Sequence, residues 1–305
     1  WPTVHVGHPD EAALDALAEI IGGTKGSVFY QNFVKAEKAM VANVMNPTSE
    51  LAGSFVIRIR TYNHKSLAEM DSLMMKSLTE FEKKGVTDED LAMFKSGYES
   101  GMINSLATVS GKASQLAMYH TFMGNADYIK TDIERYRKVT KEDVMRVYNQ
   151  YIKNKPSVKL SVYPKGKQNL IAAPDNYTPP KRSVDNVTEG EEYKNVVYNK
   201  TKDTFDRSKK PAAGPNPVVK VPDFWTENFS NGLRVIGIKS DELPTVSLQL
   251  SIESGHRNED LIKAGISQIT SDLMNESTTK HSAEEISDML DKLGSRLDVF
   301  ASADA

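Results

Sequence analysis

Apolar residues at helical spacing open the chain. In HPDEAALDALAEII (8–21), Leu14, Leu17, Ile20 and Ile21 fall on one face, with Pro9, Asp10 and Glu11 ahead and Gly22-Gly23 behind. That arrangement predicts a capped and stopped helix. The period then changes to two. KAMVANVMN (38–46) and GSFVIRIRTYN (53–63) read as strands, the second with Phe55, Ile57 and Ile59 on one face against Arg58 and Arg60, and the two are expected to pair antiparallel. Helical patterns return over about 65–84 and 87–122. Thr87 to Asp90 forms a capping box for the second of these, and Thr140 to Asp143 one for KEDVMRVYNQYI (141–152). SVKLSVYP (157–164) alternates again and closes the unit as a strand. The order predicts an α+β fold, an antiparallel sheet with helices layered on one side.

Between Pro164 and Pro222 the texture changes. Eight of the thirteen prolines fall there, and no Leu, Ile or Met occurs from 172 to 232. Such a stretch cannot bury enough apolar surface to offset the entropy of ordering it, so it is expected to be a tether. From about 225 the alternation resumes with Leu233/Val235, Ile236/Ile238 and then Val246, Leu248, Leu250 and Ile252, with an Asn-Gly turn at 231–232. Helices follow with Ile266, Ile269, Leu273 and Met274, then Ile286, Met289, Leu290 and Leu293 inward, and RLDVFAS (296–302) looks like a further strand. Expected divisions are therefore 1–165, a Pro-rich linker at 166–222, and a second unit from 223 to 305. A start at Trp1 and a stop inside a strand pattern lead us to expect an internal segment of a longer protein.

Composition narrows the function classes. Thirty-eight Lys and Arg against 41 Asp and Glu, interspersed, leave no basic footprint, so nucleic acid is not an expected partner. No apolar run is long enough to span a bilayer. The chain has no cysteine, which removes thiolate catalysis, Cys-based zinc sites and disulfides together. Bacterial periplasm and cytoplasm both accommodate such a chain.

The two ends of the sequence carry a resemblance. FSNGLRVIGIKSDELPTVSLQLSIESGHRNED followed by KAGISQITSDLMNESTTKHSAEEISDMLDKLGS resembles the opening of a repeat of the insulinase/pitrilysin family of zinc metallopeptidases. WPTVHVGHPDEAALDALAEIIGG, with VTKEDVMRVYNQYI and SVKLSVYP, is similar to the second subdomain of that family's N-terminal half. The resemblance implies two related halves that close around an extended peptide. It also implies that the catalytic half carries His-x-x-Glu-His on a helix, with two imidazoles one turn apart on zinc and a Glu to activate water.

Laying the motif on helix 263–276 puts Gln268 and Asp272 in the His positions and Ser271 in the Glu position. A neutral amide is a weak zinc ligand, one carboxylate is too few, and a Ser hydroxyl has no usable basicity near neutral pH. We therefore expect no catalytic residue, metal or cofactor in this chain, with zinc held by the parent protein. The partners implied are the catalytic half of the same protein and a peptide or unfolded-protein substrate. An inactive relative serving as a scaffold or assembly subunit, and a plain peptide-binding module, are the competing readings.

Other motifs have blander readings. In HSAEE (281–285), Ser282 and Glu285 read as a capping box, not as a truncated metal motif. His5 and His8 are expected on opposite faces of an extended segment, and His64, His120 and His256 read as single surface or satisfied histidines without nearby partners. GGTKGS (22–27) follows a helix and is a turn between helices, not a phosphate loop. The methionines of EMDSLMMKS and QLAMYHTFM fit core packing.

Overall fold

A computed structural model describes the chain except residues 64, 179, 181–196, 198–205, 207, 211, 217, 219, 220 and 305. The described residues fall into two compact units, one formed by 1–174 with 243–305 and the other by 175–242. Most of the expected linker, and with it His64, lies outside the described residues.

In the larger unit, β1 (Pro2–Thr3) leads to α1 (Glu11–Gly22), a turn, a π-helical stretch (Tyr30–Lys35) and then β2 (Ala39–Met45), β3 (Gly53–Ser54) and β4 (Val56–Thr61). The expected hairpin forms. β2 and β4 pair antiparallel with Ala42 opposite Ile59 and Val44 opposite Ile57, and a bulge between Ala39 and Val41. α1 lies on that sheet, and its last residue has to be glycine, because a Cβ on Gly22 would come within 2.6 Å of the Val44 side chain. β1 and β3 form a second short pair, which the sequence pattern did not reveal. It demands Gly53, where a Cβ would sit 2.3 Å from the Val4 carbonyl oxygen.

Helices α2 (Leu67–Lys84), α3 (Asp88–Ser105), α4 (Val109–Met123), α5 (Ile129–Arg137) and α6 (Lys141–Val147) complete the first part. Both expected capping boxes are present, at Thr87/Asp90 and Thr140/Asp143. The single helix expected over 87–122 is instead two. Thr108 accepts from the Gly111 amide and starts α4 afresh, and the Gly111 position passes so near the Ser105 carbonyl that no side chain fits. The core gathers Leu14, Leu17 and Ile21 of α1 with Phe29, Phe33, Phe55, Phe81, Val144, Val147 and Tyr148, all at most 2% exposed. Burial of this kind contributes roughly 1.5–3 kcal/mol per large side chain and holds α1 at the centre.

Two further helices, α7 (Ile266–Met274) and α8 (Ala283–Lys292), belong to the same unit. The strands expected at 157–164, 246–252 and 296–302 are not strands. These segments carry no ladder bonds, and Val158, Leu160, Val162, Val246, Leu248 and Leu250 are exposed. Alternation fits a residue run to a pleated sheet but supplies no partner edge, and without one no ladder forms. In the smaller unit, β5 (Phe224–Asn228) and β6 (Arg234–Ile238) make a hairpin whose turn contains Asn231-Gly232, with Gly232 at φ +88°. The fold is α+β, mixing helices with small antiparallel sheets.

Candidate functional site

α7 carries the positions singled out in the sequence, and a carboxylate holds its start. Gly265 sits at the head of the helix with φ +93°. Glu259, six residues upstream, accepts from the Gly265 amide at 2.7 Å, the Ser267 amide at 2.9 Å and the His256 ring at 2.9 Å. The carboxylate thereby satisfies two N–H groups at the head of the helix that have no intrahelical partner. The same bonds, the Gly265 amide foremost, hold the Glu259 carboxyl down to about 2. His256 thus has a close partner, contrary to its expected isolation. A carboxylate a few residues before a helix-opening glycine was the available signal.

One turn on, the i and i+4 spacing brings Gln268 and Asp272 together. Gln268 Nε2 donates to Asp272 Oδ1 at 2.9 Å, and both side chains are exposed. Ser271 is buried and turns its hydroxyl back to the Gln268 carbonyl at 2.9 Å. All three positions therefore sit on one stretch of helix, with the amide and carboxylate bound to each other. Such a donor set does not fit zinc, which takes imidazole, thiolate or several carboxylates. Among the described residues no three His, Cys, Asp or Glu side chains gather as a metal ion would need.

Asn275, which closes α7, was not anticipated. Its amide donates to the Val299 carbonyl at 2.7 Å while its carbonyl accepts from the Val299 amide at 2.8 Å, so it stands in for a neighbouring strand. Its Nδ2 also reaches the Ser271 carbonyl. The segment around Val299 is thereby fastened to the helix.

Beside α7 lies an open cleft of about 2100 Å³, walled by α1, α3, α7 and the extended segments 246–254 and 294–302. Asp15 of α1 lines it. Burial pushes the Asp15 carboxyl up to about 6, against the pull of hydrogen bonds from the Tyr136 hydroxyl at 2.5 Å and Asn46 Nδ2 at 2.9 Å. Behind it stands Arg135, bound to Glu11 at 2.8 Å and Asp132 at 2.7 Å, with the Tyr98 and Tyr119 hydroxyls on Asp132. Burial acts to lower the Arg135 pKa, but its bonds to Asp132 and Glu11 prevail and the guanidinium is held charged.

The remaining motifs resolve simply. Ser282 and Glu285 form the expected capping box of α8. His5 and His8 do not diverge. Gly7 at φ +79° turns the chain so that their rings meet edge to face at 5.4 Å. Residues 22–27 form the expected turn between helical segments, with Lys25 paired to Glu276 at 2.7 Å. Met70 and Met74 are buried, whereas Met75 is half exposed.

Residues 1–98 match the model of the peptidase M16 inactive domain, and residues 234–305 match that of insulinase, peptidase family M16. The two matches together take in more than half of the chain. The chain belongs to the insulinase family, M16. Its first 98 residues are an M16 inactive domain. Among solved structures, a protease from Helicobacter pylori is 22% identical over 50% of this chain and 37% of its own, with a TM-score of 0.46. A peptidase M16 inactive domain from Pseudomonas fluorescens is 18% identical over 49% of this chain and 35% of its own, with a TM-score of 0.42. The M16 chain described here thus spans little more than a third of either. No curated protein matched it. Among the described residues no helix is long and apolar enough to cross a membrane.

Proposed function

We propose that this chain is a noncatalytic part of an M16 zinc metalloendopeptidase. It helps to wall the substrate chamber and to close over an extended peptide. Residues 1–165 form a subdomain of the N-terminal half, 166–222 tether it, and 223–305 begin a second, degenerate repeat. The observation that supports this reading is the pairing of Gln268 with Asp272, beside a Ser271 hydroxyl spent on its own helix. The partner is the catalytic half of the same protein, which holds the zinc, and the substrate is a peptide or unfolded protein. Closure of the second half would exclude water and orient the peptide.

The test is cleavage of a quenched fluorescent peptide. The 305-residue chain alone should show no turnover, and the full-length protein should cleave. Asp272→Ala in the full-length protein should leave turnover nearly unchanged, while replacement of the Glu in the catalytic half's His-x-x-Glu-His abolishes it. A loss with Asp272→Ala as deep as with the Glu variant, in a protein still folded by circular dichroism, would show that α7 takes part in the chemistry.

A further inference from the structure

α8 is seated on α1, α3 and the 22–27 turn through a joint with an unusual charge distribution. Around its rim the charges are matched. Lys35 pairs with Glu284 at 2.5 Å, Lys25 with Glu276 at 2.7 Å, and Lys292 with Glu89. Near the C-terminal end the backbones approach closely. The Ser100 hydroxyl donates to the Gly294 carbonyl at 2.5 Å, and a Cβ on Gly294, at φ +58°, would meet the Ser96 carbonyl oxygen at 2.7 Å.

The interior of the joint is different. Asp288 of α8 lies over the bare backbone of Gly26, its Oδ1 only 3.4 Å from where a Cβ would be. That oxygen is fully buried, and no donor among the described residues reaches it. Asp291, one turn further, receives the Ser287 hydroxyl at 3.3 Å, and faces Glu19 of α1. Glu89 and Asp90 of α3 add negative charge near Asp288. The Lys292 ammonium facing Asp288 is already engaged by Glu89. Three elements therefore bring carboxylates to the joint, and one buried oxygen has no donor among the described residues. A bare buried acceptor of this kind is costly while the group is charged, and a proton on the carboxyl relieves both the desolvation and the repulsion.

We propose that the seat of α8 is an acid-tightened latch, in which protonation of Asp288 and its neighbours Asp291 and Glu19 fixes the 243–305 segment on α1 and α3 and deprotonation loosens it. All three carboxyls are displaced upward, with burial the leading cause for each. The sign follows. A carboxyl raised in the docked state and ordinary when released binds more protons docked, so docking strengthens as pH falls through the interval between the released and docked values and weakens as it rises.

The experiment is amide hydrogen exchange of the whole chain near pH 5 and near pH 7.5, corrected for the intrinsic rate at each pH. α8 protection should rise on acidification, by up to tenfold for each unit by which the docked carboxyls are raised, the full amount being reached only below their released values. Asp288→Asn keeps the shape and removes the charge. It should raise α8 protection near pH 7.5 toward the acid value and flatten the dependence. Wild-type α8 protection that is flat or falls on acidification overturns the latch, and so does a folded Asp288→Asn protein that keeps the full wild-type slope. Should the variant not fold, the wild-type slope alone decides.

Discussion

Replacing Asp15 with Asn should stabilise the larger unit near neutral pH, and the gain should fade in acid. Asp15 has its carboxyl moved from 3.8 to about 6, with burial the leading cause. The folded chain therefore binds that proton about 3 kcal/mol more tightly than the unfolded chain does, which is the same as a cost of about 3 kcal/mol for holding the group charged above pH 6. The sign is that of a raised carboxyl. The folded state binds more protons than the unfolded state, so this group's contribution to stability falls as pH rises from about 4 to about 6. Asparagine fits the same shell. Its oxygen can accept from Asn46 Nδ2, and its amide can donate to a reversed Tyr136 hydroxyl, so one bond to each partner survives. Part of the gain is offset by weaker neutral bonds, leaving about 1–2 kcal/mol at pH 7.5.

The assay is urea unfolding of both proteins, followed by far-ultraviolet circular dichroism, near pH 7.5 and near pH 5. Other titrating groups act equally on both proteins and cancel in the difference. For a single carboxyl with these two pKa values, the wild type regains about 1 kcal/mol relative to the variant on going to pH 5. A stability gap equal at the two pH values would refute the reasoning, as would a variant less stable than the wild type near pH 7.5.

Two other substitutions test the neighbouring networks. Arg135→Ala strips the partner from Glu11 and Asp132, both nearly buried, and should cost roughly 3–5 kcal/mol in the same urea assay; Arg135→Lys should recover only part, because a single ammonium cannot reproduce the two-pronged contact. Glu259→Ala removes the acceptor for two first-turn amides, so the Gly265 and Ser267 amides should exchange faster while those of α2 are unaffected. With its carboxyl held near 2 against an ordinary 4.5, the Glu259 contribution is present in full above about pH 4.5 and is lost as pH falls toward about 2; an exchange profile for these two amides that does not change on mutation would refute the role.

Much of this molecule is written locally. The α1 face of Leu14, Leu17 and Ile21, the β2–β4 hairpin, the Asn231-Gly232 turn and the boxes at Thr87, Thr140 and Ser282 follow from residues within a few positions of each other. Helix periodicity, strand alternation and cap chemistry act over just that range. The pairing of Gln268 with Asp272 was likewise implicit in an i, i+4 spacing, although its geometry was not. What the tertiary structure alone decided joins residues far apart in the chain. Tyr136 to Asp15, Arg135 to Glu11 and Asp288 against Gly26 each bring together groups more than a hundred positions apart, and the burial that shifts Asp15 exists only once they meet. The alternating runs at 157–164 and 246–252 make the same point in reverse. Their pattern qualifies them as strands, but a ladder needs a second backbone edge at 4.7–4.9 Å or so, and whether one is present is a property of the assembled fold and not of the run itself.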